Sequence, residues 1–397
     1  MNFYLVTMIK LGLVAFVFLT ALAYLQWIER KVIAHVQLRV GPNRVGPHGL
    51  LQPLADTIKL LTKEDLLPGH VNKFFYFLAP ILSVSCALVG ISVIPFGPKI
   101  NVFGVETYMQ LTDLNIGVLV LLAASGLGVY GVALAGWASN NKYSLLGGLR
   151  ASAQMISYEL PLSLAICIPL LVYNSLSMRE IVEAQNRFQL GFIPAWGIFQ
   201  GVFAPFLFIA FIIFLIGAFA ETNRIPFDLP EAENELVAGF HTEYASMKFA
   251  AFFMAEYANM VNICCLATHL FLGGWVPLFP APYSDFVPVA LFAGSGLMMI
   301  YHGLNPRIKM DGYTLPVFGI VFIGLGLAHM APVLKDILVP LFWFLSKAGF
   351  LLFLYIWVRA TLPRFRYDQL MDFAWIRMFP ASLACLFIVG LMVALGL

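Results

Sequence analysis

Charge is what this chain most conspicuously lacks. Of its 397 residues only 11% are Asp, Glu, Lys or Arg, against about 25% in an ordinary soluble domain. Cysteine is scarce too. The five (Cys86, Cys167, Cys264, Cys265, Cys385) sit in apolar runs, with no CxxC and no Cys–His spacing for zinc or iron–sulfur. They read as small buried hydrophobes, so a protein of this composition handling redox chemistry would take its electrons from elsewhere. The net charge of +2 offers no field to draw nucleic acid or acidic substrates. No fixed-period repeat and no low-complexity tract occur. The start of the chain shows neither the basic region nor the small-residue cleavage site of a signal peptide, so the first apolar stretch is expected to stay as a span.

Apolar residues are what is abundant, at 61%. A soluble core of this length could not hide so much apolar surface, which leaves the bilayer as solvent. A span needs about 20 apolar residues. Ten stretches qualify: 3–27, 74–95, 115–138, 152–173, 199–220, 249–272, 286–303, 315–332, 337–359 and 378–396. The seventh and eighth are the weakest, shorter and interrupted by Gly and Pro, and could instead be re-entrant. With the N-terminus outside, the inside segments collect Arg30, Lys31, Arg39, Arg44, Lys59, Lys63, Lys73, Lys142, Arg150, Arg224, Lys248, Arg307, Lys309, Arg359, Arg364, Arg366 and Arg377. Outside lie only Lys99, Arg179, Arg187 and Lys335. That bias is the positive-inside pattern, and it predicts an all-α polytopic membrane protein of about ten spans with both termini outside. One membrane domain covers 1–397.

Two inside loops are long. The first, 29–73, opens with Gly41-Pro42, Gly46-Pro47 and Gly49, which forbid regular helix. From Leu51 onward the pattern turns helical. Leu51, Leu54, Ala55, Ile58 and Leu61 share one face, and Gln52, Asp56, Lys59 and Lys63 cluster on the other. About 14 residues of helix span roughly 20 Å, too short to cross, so this helix is expected to lie in the interface. A surface anchor is one reading. The other is a ligand site, because Glu29 and Arg30 end the first span beside that polar face and could hold the head of a lipid-soluble molecule.

The second loop, 221–248, carries six acids (Glu221, Asp228, Glu231, Glu233, Glu235, Glu243) against one base, Arg224, between Glu221 and Glu243. Asp228-Leu229-Pro230-Glu231 reads as a capping box with an early Pro. Capping does not account for Glu235 four residues after Glu231, since like charges at that spacing repel. Closely spaced carboxylates share protons, so a proton-handling cluster is the competing reading. Glu159 and Glu256 fall inside the fourth and sixth spans and Glu221 ends the fifth. Ionisable groups at such depth cost about 2.5–3.5 kcal/mol and are functional candidates by default. Lys347, in mid-span, is their possible charge partner. His269, His302 and His329, at span ends, are expected to be interfacial.

The run from Glu29 to Lys31, the segment 39–65, ISYELP at 156–161, ETNRIPFDLPEAENELVAGFHTEY from Glu221 and RATLPRFRYDQLM at 359–371 together resemble the H-subunit family of NADH–quinone oxidoreductases (respiratory complex I). That family is the bacterial counterpart of mitochondrial NADH dehydrogenase subunit 1. The likeness runs over almost the whole chain. It implies a membrane component that forms the inner wall of a quinone chamber, in a multi-pass protein of the bacterial plasma membrane. Quinone would be the substrate, and NADH, FMN and the iron–sulfur clusters would reside in partner subunits. Those partners would be the peripheral-arm quinone module and the small and antiporter-like membrane subunits. By motif, Glu29, Arg30, Arg39, Asp56, Lys59, Arg224 and Phe227 would line or support the chamber. Asp228, Glu231, Glu233 and Glu235 would form the acidic loop, and Glu159, Glu221 and Glu256 the start of a proton path.

The chain departs from that family at 281–335, an inserted pair of spans added to eight core ones. A self-contained proton-coupled transporter would also place carboxylates in the membrane, but would predict inverted repeats, and none is visible. A membrane-bound hydrogenase or a ferredoxin-fed complex shares part of the motifs; the neighbouring genes would separate these.

Overall fold

A computed structural model describes residues 3–102, 105–189, 191–229, 237–306 and 310–396. Among them, ten helices are long and apolar enough to cross a membrane. They are α1 (Phe3–Val36), α3 (Lys73–Val93), α4 (Gly117–Ala138), α5 (Lys142–Tyr173), α7 (Ala204–Glu221), α8 (Ser246–Phe271), α9 (Tyr283–Leu304), α10 (Asp311–Ala328), α11 (Pro332–Thr361) and α12 (Tyr367–Ala394). Two short helices lie between spans: α2 (Gln52–Thr62) and α6 (Met178–Gln185). Two small antiparallel hairpins, Lys99–Val102 with Val105–Tyr108 and Phe188–Gln189 with Ile193–Pro194, decorate the loops on one side. No alternation long enough to flag either one exists in the sequence.

Every expected span is present, the seventh and eighth included. Several helices outrun their apolar windows: α1 passes Trp27 to reach Val36, and α5 starts at Lys142 rather than 152. Hydropathy marks the hydrocarbon, whereas a helix continues through the headgroup layer as long as its backbone bonds are made. At 1.5 Å per residue the 32 residues of α5 run to roughly 48 Å, well beyond the ~30 Å apolar slab.

Helices α3, α4, α5, α7, α8 and α12 pack as one bundle, with α11 and α1 against α8. Its core holds Tyr158, Leu162, Ile166, Leu207, Phe214, Phe271 and Phe344, all fully buried. The pair α9–α10 packs chiefly on itself. An ideal Cβ on Gly296 would stand 2.6 Å from the Gly319 carbonyl oxygen, and one on Gly319 2.6 Å from that of Gly296. This is the small-residue contact by which membrane helices approach without a hydrophobic drive. The pair is tied to the rest by Lys335–Asp285 (2.7 Å), Trp343 Nε1 to the Ser284 carbonyl (3.2 Å) and His48 to Thr314 Oγ1 (3.0 Å).

The loop after α1 shows why its glycines are needed. Gly49 adopts φ +79°, and a Cβ there would run into the Pro42 carbonyl; only glycine fits such a turn without strain. The chain then enters α2, 11 residues rather than 14. Leu54, Ile58 and Leu61 are exposed along its apolar face, as expected of a helix lying on lipid. Its far end is clamped to the start of α8: Ser246 Oγ donates to the carbonyls of Leu60 (2.8 Å) and Lys63 (3.2 Å), and Lys248 pairs with Asp65 (2.8 Å).

Candidate functional site

Glu29 lies on α1 seven residues before its end, with its side chain buried among cations. Arg224 Nη1 approaches one carboxylate oxygen at 3.3 Å, Arg359 from the end of α11 pairs with the same oxygen, and Tyr257 Oη on α8 donates to the other at 2.7 Å. The Arg224 guanidinium then turns its Nε to Glu256 at 2.7 Å and stacks over the Tyr257 ring at 4.3 Å. One arginine thus bridges two carboxylates from different helices. A charge buried this deeply needs partners on this scale, since leaving one unpaired costs several kcal/mol.

Arg224 is held there by the entry to the acidic loop. Gln154 on α5 donates to the carbonyls of Ala220 (2.8 Å) and Phe227 (2.6 Å). The Phe365 N–H donates to the Pro226 carbonyl at 3.1 Å, and the Phe227 ring packs on Tyr158 and Phe365. Asp228 pairs with Arg364 at 3.0 Å. Glu231, Glu233 and Glu235 lie outside the described residues, and with Pro230 and Glu231 so does the second half of the capping box; Arg307 and Lys309 lie outside them too.

Beside Glu29 opens a cavity of about 400 Å³ walled by α1, α8 and the end of α11, with Gln26, Glu29, Arg30, Gln37, Tyr257 and Arg359 in its lining. Arg30 is also paired with Asp56 of α2 (2.7 Å), whose other oxygen accepts from Gln52 (2.9 Å). The polar face of α2 therefore reaches the cavity through Arg30. Arg39 bonds Gln37 at 2.8 Å from an exposed position, and Lys59 is exposed on α2. Phe227 is not at this cavity; it lines a second, apolar one on the other side of α11.

From Glu256 the interior continues as two small cavities. The first, about 50 Å³, is lined by Glu256, Asn259, His241, Asn223 and Glu221; the second, about 10 Å³, by Glu221, Asn259, Asn262 and Ser125. A water needs roughly 10–15 Å³ of such space, so the first has room for water and the second is about the size of a single molecule. Next to Ser125, Gly126 abuts Glu159: a Cβ there would stand 2.8 Å from its carboxylate oxygen. Glu256 and Glu221 thus share the first cavity, and Glu159 lies against the residue next to Ser125 of the second. His241, in the loop before α8, packs edge-on against Phe240, Phe249 and Phe253, and burial pushes its imidazole down to about 4.

Two expectations are corrected. Lys347 has no carboxylate partner among the described residues: its ammonium donates to the carbonyls of Leu272 (2.6 Å), Gly274 (2.9 Å) and Val276 (2.6 Å) and lies over Trp196. It caps the C-terminal end of α8, where such groups have no helical partner. His269 is fully buried rather than interfacial, held between the carbonyls of Cys265 and Pro95, and His329 is buried too, against Phe292 and Phe342, while His302 is exposed. Arg359, Tyr257, Gln154 and Arg364 do not stand out in the sequence as site residues. The one available signal was Glu29 itself, a carboxylate at the end of a span, which demands cations from somewhere.

The family model described as NADH dehydrogenase matches residues 9–390. Among curated proteins, the NADH-quinone oxidoreductase H subunit numbered 1 of Solibacter usitatus (strain Ellin6076) is 60% identical over 394 residues, covering 99% of this chain and 98% of its own. The H subunit numbered 2 of Koribacter versatilis (strain Ellin345) is 51% identical over 403 residues, with 99% and 98% covered. The H subunit numbered 1 of Geobacter sulfurreducens is 43% identical over 404 residues, with 99% and 96% covered.

Proposed function

Because the chain belongs to the H-subunit family of NADH-quinone oxidoreductases, membrane components of complex I, we propose that its 400 Å³ cavity receives the quinone headgroup and that Glu256, Glu221 and Glu159 begin the coupling proton path. The observation that carries this reading is Arg224, one guanidinium shared between Glu29 at the cavity wall and Glu256 at the first of the small cavities. A quinone carbonyl is a hydrogen-bond acceptor, and Arg30, Arg359, Tyr257, Gln26 and Gln37 bring donors to that lining. Reduction to quinol adds two electrons and two protons to the ring. The electrons come from clusters in partner subunits, so this chain's part is to bind the head, steady the charge and handle protons.

The coupling follows from the sharing. Negative charge arriving in the cavity attracts Arg359 and Arg224, and in low dielectric such a pull is strong over several ångströms. Any weakening of the Arg224–Glu256 pair lets Glu256 exchange a proton with the water beside it. Glu221 and Glu159 then pass the change inward, toward the antiporter-like subunits. The acidic loop acids Asp228, Glu231, Glu233 and Glu235 supply the group of titrating sites next to the chamber, and Arg39 and Lys59 support its walls. The expected setting is the bacterial plasma membrane with both termini on the periplasmic side.

Two sets of variants test it in assembled complex. Arg30→Ala and Asp56→Asn should cut quinone reductase activity on the order of tenfold, the value of a charge-assisted contact, while NADH oxidation by an artificial acceptor stays near normal. Glu221→Gln and Glu159→Gln should lower proton pumping, because Gln keeps the shape but exchanges no proton; Glu→Asp changes should be milder. Unchanged quinone turnover and pumping in fully assembled variants would sink the reading.

A further inference from the structure

On the far side of α11 from Glu29 lies the larger cavity, about 570 Å³, between α7, the end of α11 and the start of α12. Its walls are apolar: Ile216, Phe219, Phe227, Val358, Leu362 and Phe373. The volume falls in the ~300–1,000 Å³ range of small-molecule sites. Its rim is not apolar, carrying Gln369, Asp372 and Arg377. Arg377, with Phe373 of the wall, belongs to the stretch Phe373–Met378, where α12 widens into a π-helix just after Gln369 and Asp372. Such turns re-aim side chains and recur at functional sites. Trp375, exposed in the same turn, is the residue type that settles at headgroup depth.

The arginines of this segment divide cleanly. Arg359 pairs with Glu29, Arg364 with Asp228 and Arg366 with Asp368. Arg377 is exposed at the cavity mouth and has no ion pair or hydrogen bond among the described residues. An apolar chamber at the membrane face richest in Lys and Arg, with an uncommitted guanidinium at its opening, fits an anion that carries hydrocarbon. Basic pockets between helices on that face are where lipid headgroups bind.

We infer that this cavity binds a membrane phospholipid. An acyl chain lies among Ile216, Phe219, Val358 and Phe373, and the phosphodiester sits on Arg377, whose planar fork matches phosphate oxygens. Asp372 and Gln369 take the headgroup's hydroxyl or ammonium donors. The site is separate from the quinone reading and does not rest on it.

The test uses the intact complex, extracted in mild detergent and stripped by repeated detergent exchange, with retained phospholipid and quinone counted by mass spectrometry. Arg377→Gln and Ile216→Trp, which fills the cavity, should each lack one phospholipid that the wild type and Arg377→Lys keep, at unchanged quinone content. Vesicles of phosphatidylethanolamine or phosphatidylglycerol should refill the stripped wild type but not Arg377→Gln. Equal phospholipid counts in all four proteins overturn the inference, and so does loss of quinone in place of lipid. A photo-crosslinker at Leu362 that captures a helix of a neighbouring protein rather than lipid overturns it too. If Ile216→Trp does not assemble, Arg377→Gln, a surface change, decides alone.

Discussion

At the scale of single residues the site is a problem of buried charge, and His241 shows how that reads out in pH. The free imidazole titrates near 6.5, and burial holds His241 at about 4. As pH falls through 6.5 the unfolded chain takes this proton and the folded chain does not until about 4. The unfolded state binds more protons across that window, so acidification from 6.5 toward 4 costs up to about 3 kcal/mol. Above pH 7.5 the group contributes no slope. His241→Phe, which suits the surrounding rings, should narrow the difference in thermal midpoint between pH 7.5 and pH 5 in the purified complex; an identical acid loss in the variant would assign that loss elsewhere. Glu29, Arg224 and Glu256 were each legible as candidates, because a charge in so apolar a sequence is conspicuous. That Arg224 joins the other two was not, since they lie on helices far apart in the chain and periodicity carries no information about which helices meet. Lys347 misled for the same reason: a lone cation suggests a carboxylate, yet helix-end carbonyls serve it as well.

At the scale of elements, the spans were legible because hydrocarbon imposes length and composition together. Their ends were not, because the headgroup layer tolerates both helix and loop; residues 142–151 of α5 contain Lys142 and Arg150 and still continue the helix. The pair α9–α10 is the clearest element-level case, being weak in hydropathy and yet formed of two helices long enough to cross. Its stability rests on close approach at glycines rather than on apolar area, which lipid supplies equally well. Gly296→Val and Gly319→Val should each push α9 and α10 apart, at the ~1–3 kcal/mol cost of overpacking. Gly294→Val, whose added carbon meets nothing within 4 Å, is the matched control. Limited proteolysis at the turn after Leu304 reads the difference: faster cleavage in the first two variants and none in the third. Equal rates in all three would show that the glycine contact does not hold the pair.

At the scale of the whole molecule, the distribution of Lys and Arg orders all ten spans at once. A cysteine at Asn305, exposed just past the end of α9, should react with a membrane-impermeant reagent only from the cytoplasmic face. Labelling from the periplasm would invert the pair and break the ordering. The two ends of that pair are spatial neighbours, since Asp285 touches Lys335 and the Ser284 carbonyl accepts from Trp343. A helical hairpin that leaves the chain where it entered is a cassette. The pair makes two crossings, an even number, so everything downstream has the same handedness toward the membrane with it or without it. A lone added helix would have turned Arg359 and the last span inside out and taken Glu29's partner with it. Excision of the stretch between those two contacts should leave ends that a few residues can rejoin, with Arg359 still delivered to Glu29.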